Sequence, residues 1–135
     1  MIVKTLTFQT SASKQIIDIT EKVQNLVNQS SEKEGLCLVF VQHTTCSVML
    51  GEYEAGLDED FINMFEQLKP KGPFQHAHEP DHAPSHLFSS MVGEQVVIPI
   101  QGGQLAFGTW QKIMLVEFDG PRFRNVIVQI INSNR

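Results

Sequence analysis

Cysteine is scarce in this chain: its 135 residues hold only Cys37 and Cys46. Two thiols do not make a disulfide framework, and their spacing is not that of a zinc ribbon, so buried, reduced thiols are expected. No stretch approaches the ~20 apolar residues that cross a bilayer, and the first residues lack the charged-then-apolar pattern of a signal peptide. A cytoplasmic protein with no membrane partner is the expectation. Basic residues are few as well: 10 Lys and Arg against 15 Asp and Glu leave a net charge of -5. Nucleic-acid binding needs clustered Lys and Arg to neutralise phosphates, so that balance excludes a duplex as partner. Only the Pro-Arg-Phe-Arg turn ending at Arg124 is locally basic, enough for a single phosphate. There is one tryptophan and one tyrosine, and no repeat, linker or low-complexity segment.

Histidine, in contrast, is concentrated. Four of the five lie between Phe74 and Met91, in FQHAHEPDHAPSHLFSSM: His76, His78, His82 and His86. Imidazole is the commonest metal ligand and the side chain that titrates nearest neutrality, so such a cluster reads as ligands or proton carriers. Glu79 and Asp81 among them can complete a metal sphere or fix a histidine tautomer. An extended piece before Glu79 places His76 and His78 on one side, and a helix starting near Asp81 stacks His82 and His86 at i and i+4. Pro84 is compatible with the first turn of that helix. The plain alternative is a polar loop with a chance run of histidine; a purification tag is excluded because the residues are interspersed and internal.

The remaining chain, with 41% hydrophobic residues, is the size of one domain that buries about two-thirds of its unfolded surface. Ile2 to Phe8 alternates as a strand, and Gln15 to Ile19 follows as a second. Thr20 is placed to cap a helix whose apolar stripe is Ile19, Val23, Leu26 and Val27. Leu36 to Val41 is a nearly unbroken apolar run, which suits a strand buried on both faces. Ser47 to Leu50 resumes as a strand, so the intervening Thr-Thr-Cys is a turn or bulge that aims His43 beside the sheet. Leu57, Phe61, Met64, Phe65 and Leu68 mark an amphipathic helix with Asp58, Glu59 and Asp60 in its first turn, where the helix dipole explains the acids. Glu94 to Ile100 is a strand whose Pro99 belongs at an edge or bulge. Gln104 to Phe107, Gln111 to Phe118 and Arg124 to Ile131 complete the strands. The sum is a single α+β domain, with a largely antiparallel sheet core and two to three helices.

Outside the histidine segment, several residues are candidates for chemistry. His43 ends a strand, a rigid support for a ligand or base, and its ordinary alternative is a strand-end hydrogen bond to Thr44 or Thr45. Glu52 follows the next strand and can face the same cleft or stay a solvated carboxylate. Trp110 offers a flat wall to a heterocycle, with core packing its default, and Gln111 can read amide-like edges. Arg122, with Arg124 nearby, can clamp an anion in a guanidinium fork or pair with Glu117 or Asp119.

Five blocks now resemble, in order, the YjbQ-like family, also called secondary thiamine-phosphate synthase. They are VQHTTCS, FQH, APSHLFSSMVG, VIPI with GGQLAFGTWQ, and LVEFDGPRFRNVIVQ, which span nearly everything after Leu36. The block after HTT departs from the family's usual Asn-Glu and Asp-Pro, reading Gly51-Glu52 instead, so Glu52 and Asp60 match while the residues around them differ. The resemblance implies a YjbQ-like α+β fold, a homotrimer with sites near subunit boundaries, and a small-molecule substrate. It implies that His43, His76 and His86 gather a divalent metal, zinc first, with Mg²⁺ as the cation for a pyrophosphate substrate. His78 and His82 are additions to the family pattern. The implied activity joins a pyrimidine pyrophosphate to a thiazole phosphate, with His43, Glu52 and Arg122 as catalytic residues and Thr44, Trp110, Gln111 and Arg122 facing substrate. Metal-assisted hydrolysis, a non-catalytic module for an anionic metabolite, and a structural metal closed by His78, Asp81 or His82 are the competing expectations.

Overall fold

A computed structural model describes residues 1–132. Eight strands and three helices follow one another as β1 (Ile2–Gln9), β2 (Gln15–Asp18), α1 (Thr20–Ser30), β3 (Glu34–Val41), β4 (Cys46–Gly51), α2 (Leu57–Leu68), α3 (Ala83–Val92), β5 (Gln95–Gln101), β6 (Gln104–Leu105), β7 (Lys112–Glu117) and β8 (Phe123–Asn132). A single 3₁₀ turn, Pro80–His82, leads into α3. The strands form two sheets, a five-stranded one ordered β1-β8-β3-β5-β6 and a three-stranded one ordered β2-β7-β4. Every ladder is antiparallel.

The larger core lies between the sheets. Cys37, Val39 and Val41 of β3 and Val126, Val128 and Ile130 of β8 meet Val48 of β4 and Ile113 and Leu115 of β7, with Val23 and Val27 of α1 closing one side. Strand side chains alternate, so the other face of β7 carries Met114 and Val116. These pack with Phe65 of α2, Phe88 of α3, Ile16 and Phe118 in a second cluster. The small sheet is thus sandwiched, and β7 is the strand buried on both faces. The sequence assigned that burial to Leu36–Val41; in the fold β3 alternates instead, with Leu36 and Phe40 exposed on the outer face. An apolar run reads the same whether its second face is covered by its own chain or left open.

Other local readings are adjusted in similar ways. Thr20 is the first helical residue of α1 and its cap position is Ile19, with no side-chain cap. Its hydroxyl bonds Asp18 Oδ1 at 2.6 Å and accepts from the Ile113 amide at 2.8 Å, so it ties α1 to β7. Asp60 lies with Asp58 and Glu59 in the first turn of α2, as the dipole argument requires. Pro99 sits in β5, where its carbonyl accepts from Ala106 N at 2.8 Å, so its ring nitrogen faces the sheet edge and not β3. Gln104 to Phe107 shortens to the two residues of β6. No helix among the described residues is long and apolar enough to cross a membrane.

Candidate active-site cleft

The chain changes sheets between Val41 of β3 and Cys46 of β4, and that crossing is where the site forms. His43, Thr44 and Thr45 stand at the open end of the intersheet layer, opposite the 3₁₀ turn and the first turn of α3. Together they enclose a cleft of about 790 Å³. All five histidines line it, with Arg122 and Arg124. Its acidic lining residues are Glu79 and Asp119. Four imidazoles 33 or more residues from His43 therefore reach it through the fold, because α3 packs against β4: Ser47 Oγ donates to Ser89 O at 2.9 Å and Ser89 Oγ to Cys46 O at 2.8 Å.

The floor is a buried ion pair. Arg124 of β8 and Glu117 of β7 both point into the space between the sheets, and the guanidinium bonds the Glu117 carboxylate through Nε at 2.7 Å and through Nη2. Nη2 also donates to Thr45 Oγ1 at 2.8 Å and Thr45 O at 3.1 Å. Glu117 accepts further from Thr10 Oγ1 and from Asp119 N. Among the described residues no buried side-chain polar atom lacks a partner, so the pair meets the condition under which buried charge is tolerated. Burial works against the Arg124 charge, but the Glu117 carboxylate more than offsets it and holds the guanidinium above its ordinary value. Sequence reading offered an ion pair with Glu117 or Asp119 as the alternative to an anion clamp, and both acids are paired here, Glu117 with Arg124 and Asp119 with Arg122. Arg124 fixes the Thr45 turn from below, whereas Arg122 is the exposed arginine, forked onto Asp119 through Nε to the carbonyl at 2.7 Å and Nη2 to Oδ2 at 2.9 Å.

Each imidazole has its own setting. His43 Nε2 accepts the Asn125 main-chain N–H at 2.7 Å. Burial first, and then the Arg124 charge, lower its pKa. His76 Nδ1 lies 2.6 Å from Glu79 O, the orientation in which a backbone carbonyl holds a ring and leaves its other nitrogen free. His86, on α3, meets His76 edge-on with ring centroids 4.9 Å apart. His82 lies in the 3₁₀ turn and is the cap residue of α3, one residue ahead of the helix that carries His86, and both line the cleft. His82 Nε2 faces Glu79 Oε2 at 2.9 Å and its Nδ1 faces Asp119 Oδ2 at 3.3 Å, so both nitrogens are engaged.

A divalent cation fits part of this donor set. His76 offers an oriented ring with a free nitrogen and His86 lies against it. His43 does not fit, since a neutral imidazole has one lone pair and the Asn125 amide takes it. Among the described residues no three His, Cys, Asp or Glu side chains are grouped to hold a metal.

Not every expected residue reaches the cleft. Thr44 and Arg122 line it. Glu52 and Trp110 line a different cavity, of about 610 Å³, with Tyr53, Glu54, Thr109 and Lys112. Gln111 beside it accepts from Gly108 N at 2.8 Å. That cavity lies at the Gly51–Lys112 end of the β4–β7 ladder, and His43 lies beyond the Cys46–Glu117 end. Five residues of strand, roughly 17 Å, separate the two within one chain. Trp110 is not a core residue, being 71% exposed. Asp81 is exposed outside the histidine cleft, lining a smaller cavity with Lys14 and Lys69. Both thiols are buried, and burial pushes Cys37 and Cys46 up to about 12, which makes them inert.

Fold and cleft define a small α+β protein of two antiparallel sheets, with a histidine- and arginine-lined cavity where the chain crosses between them. Residues 4–133 match the family model described as UPF0047 protein YjbQ-like. A UPF0047 protein of Archaeoglobus fulgidus is 42% identical over 127 residues, covering 93% of this chain and 98% of the relative. A hypothetical protein of Aeropyrum pernix K1, solved by crystallography, superposes with a TM-score of 0.92 at 37% identity, covering 98% of this chain and 100% of the other. A Sulfolobus solfataricus P2 structure, described as a YbjQ-like protein of unknown function, gives 0.92 at 35%, covering 98% and 97%. The chain belongs to the YjbQ-like UPF0047 family.

Proposed function

We propose that the cleft is the active site of a small enzyme acting on a phosphate-bearing metabolite. One observation carries the reading: five imidazoles and two guanidinium groups converge on one cavity of a chain whose net charge is -5. Both guanidiniums are paired, Arg122 with Asp119 and Arg124 with Glu117, so what the lining offers an anion is a concentration of oriented N–H and O–H donors and not a net positive charge. Arg122 supplies a guanidinium fork at the rim, Thr44 a hydroxyl, and Arg124 a buried positive charge beneath, all of them set before substrate arrives. Asp119 holds the Arg122 fork in place, so the charge that receives an oxyanion needs little reorganisation. Burial and the Arg124 guanidinium disfavour the charged form of His43, and His76, held through Nδ1 by Glu79 O, keeps its Nε2 lone pair free.

The reaction that the family resemblance suggests is the joining of a pyrimidine pyrophosphate to a thiazole phosphate. The bond to the pyrophosphate breaks as the bond to the thiazole nitrogen forms, and negative charge accumulates on the departing pyrophosphate. Arg122 and Arg124 stabilise that charge. A divalent cation, zinc or Mg²⁺, belongs to the same reading with His76 and His86 as its protein donors, and when bound it would add positive charge at the leaving group. Incubation with the two precursors, followed by product analysis, tests this: thiamine phosphate is expected, and Arg122→Ala should lower the rate by about tenfold or more. No product from the wild type, together with stabilisation by the precursors, would instead select the non-catalytic binding module.

A homotrimer is proposed with it. Its support is the outer face of the five-stranded sheet, where Leu36, Phe40, Val97, Phe123 and Ile131 are exposed. The outward side chains of β8, from Phe123 through Asn125, Ile127 and Gln129 to Ile131, are all uncharged. Monomers rarely leave an apolar face of that extent to water. Assembly is also the one route by which Glu52 and Trp110 of one copy reach the histidine cleft of another.

A further inference from the structure

We propose that His43 serves the cleft as a fixed Nδ1–H donor to a substrate oxygen and is not a metal ligand. This rests on reading the cleft as an anion site and assigns one of its contacts. A neutral imidazole carries one lone pair and one hydrogen, on opposite nitrogens. The Asn125 amide donates to Nε2 at 2.7 Å, which places the lone pair there and the hydrogen on Nδ1. A cationic ring has no lone pair to accept with, so the same bond fixes the ring as neutral.

The donating amide is itself immobile. Asn125 stands in β8 opposite Thr7 of β1, and its side-chain Oδ1 accepts from Thr7 Oγ1 at 3.0 Å. Its carbonyl accepts from Gln42 N at 3.3 Å, one residue before His43. The ring is therefore clamped by the strand that its own backbone pairs with. A cation on Nε2 would have to displace a main-chain N–H and leave that donor without a partner. Among the described residues His43 Nδ1 makes no hydrogen bond, so its hydrogen is available to the cleft.

His76 gives the complementary case. Its Nδ1 hydrogen is spent on Glu79 O, which leaves the Nε2 lone pair free. The two rings hold the same tautomer but are anchored at opposite ends: His43 presents a hydrogen, and His76 presents a lone pair. An anion with one oxygen on His43 and a proton or cation toward His76 matches both. The phosphate or pyrophosphate group of the substrate has that chemistry.

The test is a long-range ¹H–¹⁵N spectrum of the ¹⁵N-labelled full chain, with the His43 ring assigned by its loss in His43→Gln. Expected are a pyridine-type Nε2 and a pyrrole-type Nδ1 for His43, with Nδ1 shifting on addition of inorganic pyrophosphate. Zinc is expected to leave both His43 nitrogens unmoved. An Nε2–H ring in a protein that binds pyrophosphate overturns the proposal alone, as does zinc that moves Nε2 and releases the Asn125 amide. Pyrophosphate that shifts the other cleft residues but not His43 removes the donor role. Failure of pyrophosphate to bind at all overturns the cleft reading and this proposal with it.

Discussion

Arg124 and Glu117 show how a single residue pair can shape the site without touching solvent. Removing one partner strands a buried charge, so Glu117→Leu should cost about 3–5 kcal/mol by urea denaturation. The double change Glu117→Leu with Arg124→Leu should recover much of that loss, because no unpaired charge remains. His43 adds a pH signature. Burial and the Arg124 charge hold its pKa below 6.5, so as pH falls through that value the unfolded chain takes up a proton that the folded chain refuses. Its contribution therefore favours the fold less and less on the acid side, and His43→Gln should flatten the stability–pH profile there. Cys37 and Cys46, pushed up to about 12 by burial, should resist alkylation in the native protein and react only once it unfolds.

The elements explain what the sequence could and could not disclose. Strands β1, β2, β4 and β8 and helices α1 and α2 were legible from alternation and helical spacing because each has one face on a core within the chain. The apolar run of β3 was misleading, since its outer face is open, whereas the sandwiched strand is β7 with Ile113 to Val116. The clustering of the histidines was legible from composition alone, and the fold brings His76, His78, His82 and His86 to the cleft that His43 lines. Which histidine points where was not, because the partners of His82 include Asp119, which only the fold brings beside it. An ion pair of the Pro-Arg-Phe-Arg turn with Glu117 or Asp119 was legible as an alternative; that Arg124 takes Glu117 in the buried layer was not, since the two residues meet from two different sheets. Helices α2 and α3 hold the histidine wall through an aromatic cluster, in which Phe65 meets Phe88 and Phe118 edge-on at 5.3 Å and 5.1 Å. Phe65→Ala should cost about 3–5 kcal/mol and loosen the wall, seen as faster amide exchange along α3.

At the scale of the whole molecule, two features stand against the average character of the chain. Its surface is acidic overall, yet its one histidine cleft gathers arginines, and its outer sheet face is apolar where water is expected. Phe123 belongs to both, lining the cleft and standing 66% exposed at the end of that face. Sedimentation should give a trimer, and Ile127→Asp, a charge in the middle of the outward face of β8, should dissociate it. A wild-type monomer would remove the assembly proposal and leave Glu52 and Trp110 outside the site.

The central claim is that the cleft binds phosphate-bearing anions, and calorimetric titration of the wild type and Arg122→Ala with inorganic pyrophosphate tests it most directly. Binding near one equivalent per chain, weakened by about tenfold or more in Arg122→Ala, is the predicted result. The absence of binding to the wild type, or equal affinity in the two proteins, would contradict it.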